Sequence, residues 1–362
     1  MKQRRAVLDL LDRGLAKLAE VKPRDSVSST RLRESKEKVR AARGLVVEEE
    51  PEDAAPLPPP SDPAAPMPIY VGAYIKEGRE GSTVPWNGTY WTAFEDFSGC
   101  EMAIIHFGMK WGQLYSSTLA LCAARGSVPL LDIQPPSSLR EILEGKQDAA
   151  IRQMAEALGD YGKPTLLRPM WESNGTWYSW GRSPDYVAAW RYLHDRIAPT
   201  APNVSWVYCP NAVWDTASKD ALVSMYPGDD YVDWVGFDSY NWGTNPAKPD
   251  RWRSPDEVLG PTYAALRTLA PAKPILIGET ASSEYGGSKA DWITAMFKAL
   301  PNYPAIRAFC WFSWEIYENG GWMDWPPTTS STAAAAWKAA LASDYFRAVP
   351  NANAAGQKFA VP

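Results

Sequence analysis

The chain has 362 residues, 45% of them hydrophobic and 22% charged, with a net charge of −5. These balances exclude wholesale disorder and give no reason to expect nucleic acid as a partner. Its two histidines, His106 and His194, argue against a histidine-rich metal site, and no metal or cofactor is expected; its eighteen tryptophans suit a protein that handles sugars or other large ligands.

Residues 1–44 hold thirteen Lys/Arg against six Asp/Glu, and Leu8, Leu11, Leu15 and Leu18 follow the a/d spacing of a short coiled-coil seam until Pro23 interrupts it. This basic helical segment is expected to serve self-association or as a tether to a larger assembly; the alternative is a helix lying on its own catalytic domain. The N-terminus lacks the continuous apolar core of a secretory signal, so export by the usual route is unsupported. The cytoplasm, or carriage on an assembly such as a virion tail, remains. No run of 18 apolar residues occurs, so no membrane span is expected. Residues 45–68 carry six acids and no base, with eight prolines from Pro51 to Pro68, and read as an extended linker reaching roughly 50 Å.

From Ile69 onward, β-branched and aromatic runs alternate with amphipathic stretches. Strands are expected at 69–75, 102–108, 128–134, 165–172, 204–210, 232–241, 274–280 and 306–314. Helical patterns lie between and after them, among others at 147–161, 184–197, 255–269, 289–299 and 332–345. Eight strand–helix units are the arithmetic of a (β/α)8 TIM barrel, placed over 69–350 with a C-terminal tail at 351–362. A doubly wound sheet would instead show a glycine-rich turn after its first strand, and KEGREGSTVPW (76–86) carries no such fingerprint. Cys100, Cys122, Cys209 and Cys310 are widely spaced and read as free thiols.

A barrel builds its site at the C-terminal strand ends. Reading those ends yields His106, Asp132, Glu172, Asn211, Asp238, Tyr240, Glu279, Trp311 and Glu315. Glu172 and Glu279 close the fourth and seventh strands. A carboxylate pair across a barrel mouth is what cleavage of a glycosidic bond requires: one protonated to assist the leaving oxygen, one ionised to attack the anomeric carbon. The alternative is that either glutamate is a salt-bridged stabiliser.

LLRPMWESNGTWYSWG (166–181), YPGDDYVDWVGFDSYNWG (226–243), KPILIGETASSE (273–284) and HFGMKWG (106–112) resemble, in order, segments of glycoside hydrolase family 26, which includes β-mannanases. The resemblance spans roughly 69–345. It implies a retaining endo-β-glycosidase acting on a polysaccharide or oligosaccharide, with Glu172 as general acid/base and Glu279 as nucleophile. Where the family has histidine before the acid/base, this chain has Trp171, which narrows a subsite or packs behind the strand. On the same carry-over, Arg168, Trp171, Asn174, Trp177, His106, Asp238, Tyr240 and Trp311 are substrate-binding candidates. Period-two alternation places Arg168 on the face of Glu172, where it would hold the nucleophile ionised or pair with Asp132 or Asp238. Tyr240 would donate a hydrogen bond to Glu279. Trp177, Trp180, Trp214, Trp242 and Trp311 are candidate stacking surfaces for sugar rings, and Glu315 is a reserve carboxylate. The rival class is a carbohydrate-binding barrel without catalysis.

Overall fold

The computed structural model describes residues 67–79, 89–113, 116–135, 138–246, 248, 250–318 and 321–362. The helical segment expected over 1–44, and all but the last two residues of the linker expected over 45–68, lie outside the described residues.

Nine strands and nine α-helices alternate along these residues. The order is β1 (Tyr70–Arg79), α1 (Thr89–Ser98), β2 (Ile104–Met109), α2 (Ser116–Arg125), β3 (Val128–Ile133), α3 (Leu139–Leu143) and α4 (Asp148–Tyr161). Then follow β4 (Thr165–Pro169), α5 (Tyr186–Ile197), β5 (Val204–Tyr208), α6 (Thr216–Ser224), β6 (Trp234–Asn241) and α7 (Pro255–Leu269). The chain continues through β7 (Ile275–Ser282), α8 (Lys289–Ala299), β8 (Ile306–Glu318), β9 (Gly321–Asp324) and α9 (Ser331–Leu341). Strands β1 to β8 pair in parallel in chain order, and β1 closes the ring on β8. The fold is a (β/α)8 barrel.

Strand alternation sorts the apolar residues into two layers. Ile104, Leu130, Leu166, Val207, Leu276 and Cys310 fill the barrel interior, while their neighbours Ile105, Leu131, Leu167, Tyr208, Ile277 and Trp311 pack outward under the helices. Further toward the C-terminal ends the interior turns polar, with His106, Asp132, Arg168 and Asp238 buried there. At the opposite end the residues expected as a tail are part of the barrel. Phe359 is 4% exposed, with ring centroids 4.7 Å from Tyr70 and 5.3 Å from Trp234, and its N–H donates to Ser205 Oγ at 3.0 Å. It plugs the floor.

Local chemistry explains the helix starts. Ser254 and Glu257 form a capping box at α7 with Pro255 at its first turn, and Ser288 and Ser330 cap α8 and α9. Helix α6, TASKDALVS, has little apolar periodicity, which is why the sequence does not announce it; the Asp215–Ser218 capping box starts it instead. Of the strand ends that differ from expectation, two shape the mouth. β4 stops at Pro169, because Met170 and Glu172 both hold left-handed backbone, with φ of 49° and 51°. β8 runs on to Glu318 and folds back as an antiparallel hairpin with β9. All four cysteines are free thiols, with Cys100 half-buried and the others buried.

Candidate active site

Arg168, the inward residue of β4 nearest its C-terminal end, is fully buried and is the hub of the mouth. Its Nε and Nη2 donate to Asp132 at 2.5 and 2.7 Å, and its Nη1 to both oxygens of Asp238 at 2.7 and 2.8 Å. Nη2 also donates to Glu279 Oε1 at 2.6 Å. A planar guanidinium alone can serve three carboxylates this way. Both pairings considered from the sequence therefore occur together, and Arg168 and Asp238, buried beneath the mouth, act on each other rather than on a ligand. Burial opposes ionisation of Asp132, but the charges of Arg168 and His106, with their hydrogen bonds, outweigh it and hold the carboxyl at about 2.

His106 Nε2 lies 2.8 Å from Asp132 Oδ2 and 3.1 Å from Arg168 Nη2. The ring is fully buried, its edge toward Tyr74, and does not face the mouth as a sugar contact. His106, Asp132 and Glu279 bring ligand atoms within 4.8 Å of one another, but Arg168 Nη2 stands 3.1, 2.7 and 2.6 Å from them. The guanidinium supplies the cation that such a cluster needs.

Glu279 owes its direction to one residue. Along β7, Leu276 points in and Ile277 out, so strict alternation would turn Glu279 outward. Between Phe237–Ile277 and Asp238–Glu279 the register slips by one residue at Gly278. This bulge turns Glu279 into the mouth. A Cβ on Gly278 would meet Arg168 Nη1 and Asp238 Oδ1 at 2.6 Å and Cys209 Sγ at 2.8 Å, so only glycine leaves room for the network. The second oxygen of Glu279 accepts from Tyr240 Oη at 2.5 Å. Burial, and next the Glu279 charge, push the phenol up, so it remains a donor.

Glu172 sits in a different environment. Its oxygens accept from Asn211 Nδ2 at 2.6 Å and Trp177 Nε1 at 2.5 Å, both neutral donors. Burial, and next the charge of Glu279, raise its carboxyl to about 7 against these hydrogen bonds. The route from one glutamate to the other is short: Asn211 bridges to Asp238, and Asp238 is the register partner of Glu279. The left-handed Met170 breaks the period-two alternation from which Arg168 and Glu172 were expected on one face, and the turn itself aims Glu172 inward. Backbone held there costs about 1–3 kcal/mol per residue and clusters at functional sites.

The other candidates separate. Trp171 is half-buried at the mouth, its ring 5.7 Å from the Arg168 guanidinium, its Nε1 donating to Tyr178 Oη at 3.1 Å. Trp177 is exposed. Asn174 is not a sugar contact: it is fully buried, donates to the Asn211 and Ser218 carbonyls at 2.9 and 3.3 Å, and accepts from Asn211 N–H at 2.8 Å. Trp311 is also misplaced by the sequence reading. It is the outward residue between Cys310 and Phe312, fully buried against Trp292 and Trp337, and donates to the Trp325 carbonyl. Phe312 takes the inward position, stacked on Tyr74 at 4.9 Å. Asn211 was visible only as a polar strand end and had no role assigned; Gly278 gave no signal at all.

The fold and the carboxylates define the class: a (β/α)8 barrel with four carboxylates, Asp132, Glu172, Asp238 and Glu279, gathered at its mouth. Residues 128–274 match the model of glycosyl hydrolase family 26. Over 287 residues, 75% of this chain, the sequence is 34% identical to Endoglucanase H of Acetivibrio thermocellus and covers 30% of that protein. It is 25% identical over 266 residues to the mannan endo-1,4-beta-mannosidase A and B of Caldalkalibacillus mannanilyticus, covering 66% of this chain and 48% of the relative. The chain thus spans less than half the length of either. A solved GH26 beta-mannanase from Bacteroides ovatus shares the fold, with a TM-score of 0.55 at 16% identity over 79% of this chain and 91% of that one. The barrel belongs to glycosyl hydrolase family 26.

Proposed function

We propose that the protein is a retaining endo-β-glycosidase that cleaves a neutral β-linked hexose polysaccharide, a glucan or a mannan, with Glu172 as acid/base and Glu279 as nucleophile. The observation that carries this reading is the asymmetry of the two glutamates. One meets a guanidinium and a phenol; the other meets only neutral donors in a buried place and is raised to about 7. A carboxyl raised toward neutrality by its surroundings, beside a second carboxyl held by a cation, suits the acid of such a pair.

In the first step the Glu279 carboxylate attacks the anomeric carbon while protonated Glu172 gives its proton to the departing oxygen, leaving a glycosyl ester on Glu279. Esterification removes the Glu279 charge, one of the two causes that raise Glu172. Glu172 then becomes a better-stabilised carboxylate and takes a proton from water, whose oxygen attacks the anomeric carbon and frees Glu279. Arg168 and Tyr240 hold Glu279 in line throughout. The names of the relatives, an endoglucanase and a mannan endo-1,4-beta-mannosidase, support the two backbones proposed.

The test is a panel of β-glucans and β-mannans digested and analysed by mass spectrometry, with variants. Glu279→Ala loses at least about 10⁴-fold in kcat, on the scale of removing a covalent nucleophile. Glu172→Ala keeps turnover of substrates with good leaving groups and gains rate with azide. Full activity of Glu279→Ala sinks the assignment; sugar binding without product from the unaltered chain favours the non-catalytic carbohydrate-binding barrel instead.

A further inference from the structure

Glu172 belongs to the turn after β4, yet its fixed points lie on the neighbouring strand end. Its N–H donates to the Cys209 carbonyl at 2.8 Å and its Oε1 accepts from Asn211 Nδ2 at 2.6 Å, both on the residues that follow β5. We propose that Asn211 is the positioning residue of the acid/base, aiming the Glu172 carboxyl from the end of β5, and that buried Asn174 holds Asn211 to that task. The inference rests on the reading of Glu172 as acid/base and adds the parts that fix its direction.

Strand β4 cannot fix that direction. Left-handed Met170 and Glu172 follow its last residue, so the turn brings Glu172 inward but leaves a long side chain free to swing. An amide donor on one oxygen removes that freedom, and proton delivery to a leaving oxygen tolerates little misalignment. The donor must also be neutral. A lysine or arginine in its place would favour the charged carboxylate, whereas an amide orients the group and leaves burial and the Glu279 charge to raise it.

Asn211 is itself clamped from both sides. Asn174, fully buried, accepts from the Asn211 N–H at 2.8 Å and donates to the Asn211 carbonyl at 2.9 Å, so one side-chain amide pairs both backbone groups of Asn211 as a neighbouring strand would. Asn174 also donates to the Ser218 carbonyl at 3.3 Å, which uses its remaining amide hydrogen. On the other side Asn211 bridges to Asp238 of β6. The Asp238 N–H donates to the Pro210 carbonyl at 3.1 Å, and the Ala212 N–H to the Asp238 carbonyl at 2.8 Å. Asp238 is in turn fixed by Arg168. The Asn211 backbone therefore has little play, and its half-buried side chain carries that rigidity to Glu172.

Besides Asn211, the groups that act on the Glu172 carboxyl are Glu279 from β7, which raises it, and Trp177 and Arg168, which lower it. Asp238, Tyr240, Tyr178 and Lys248 also feel its charge. Loss of the Asn211 donor alone moves the carboxyl one way, upward.

The test measures kcat/KM of the full chain from pH 5 to 9, on whichever glucan or mannan it cleaves, beside Asn211→Leu, Asn174→Ala and the double variant. Leucine keeps the bulk of the amide and leaves no room for a water in its stead. Asn211→Leu is expected to lower the maximum about tenfold or more, the fall lying in kcat. Its alkaline limb, near pH 7 in the unaltered chain, moves up by about half a unit or more. Asn174→Ala moves the limb the same way, and the double variant moves it no further than Asn211→Leu alone. An unmoved limb in Asn211→Leu overturns the proposal; a double-variant shift equal to the sum of the singles overturns the part given to Asn174. If Asn174→Ala does not fold, Asn211→Leu decides without it. Should the unaltered chain cleave nothing, the glycosidase reading fails separately. The hold on Glu172 is then read from urea melts, in which Asn211→Leu extends to higher pH the range over which Glu172 takes up a proton on folding; an identical pH dependence overturns it.

Discussion

Two residues of one type sit in unlike surroundings: Glu279 meets a guanidinium and a phenol, Glu172 only neutral donors. Glu172 is raised to about 7 by burial and by the Glu279 charge, so in the proposed cycle it serves as the acid only below that pH. The rate of the first step therefore declines as pH rises through about 7. The same shift acts on stability. The folded chain binds a proton at Glu172 between the ordinary value of 4.5 and about 7 that the unfolded chain releases, so stability is fully present below 4.5 and is lost as pH rises to 7. Within that window the slope contributed by Glu172 reaches about 1.4 kcal/mol per pH unit. Urea melts of the unaltered chain and Glu172→Ala across pH 4–8 check this. The two curves diverge through the window; parallel curves would show Glu172 ionised throughout. At this scale the sequence was readable for both glutamates and for Tyr240, because polar residues ending apolar strands stand out. It was misleading for Asn174 and Trp311, because motif position does not say whether a side chain faces a ligand or the fold.

The unit that orients these residues is the strand end. Three irregular backbones do the aiming: left-handed Met170 and Glu172 after β4, and the Gly278 bulge in β7. Gly278→Ala puts a methyl group into the Arg168–Asp238–Cys209 contact, and the network has to move or the bulge to straighten. The expected outcome is a loss of about 1–3 kcal/mol in stability, as for other overpacked sites. A fall in kcat of at least about tenfold accompanies it, since misplacing a reacting group by an ångström costs more than that. Thermal melts and kcat on the same preparation separate the two effects. Strand periodicity alone would have left Glu279 pointing outward. Such a bulge is invisible in one sequence, since a glycine before a glutamate reads as ordinary strand.

Across the whole barrel the two ends have opposite jobs. Polar residues at the C-terminal end are buried around one cation, while the opposite end is closed by apolar packing, finished by Phe359 from the last residues of the chain. Phe359→Ala opens a cavity under Tyr70 and Trp234 and costs about 3–5 kcal/mol, with kcat unchanged, because the floor touches none of the carboxylates. Urea denaturation with activity measured well below the transition checks it; a kcat that falls with stability would show the floor and mouth coupled. The last residues were expected only as a C-terminal tail. Their packing escaped the sequence reading because a lone phenylalanine among polar residues carries no periodicity.

The sequence by itself determined the barrel, its strand order and the rim residues from which a site is made, since periodic burial and motif order are written locally along the chain. Which rim residues face one another was decided only by tertiary structure. Side-chain direction there depends on single backbone kinks and on partners tens of residues away, such as Arg168 drawing together Asp132, Asp238 and Glu279, and no local pattern encodes those meetings.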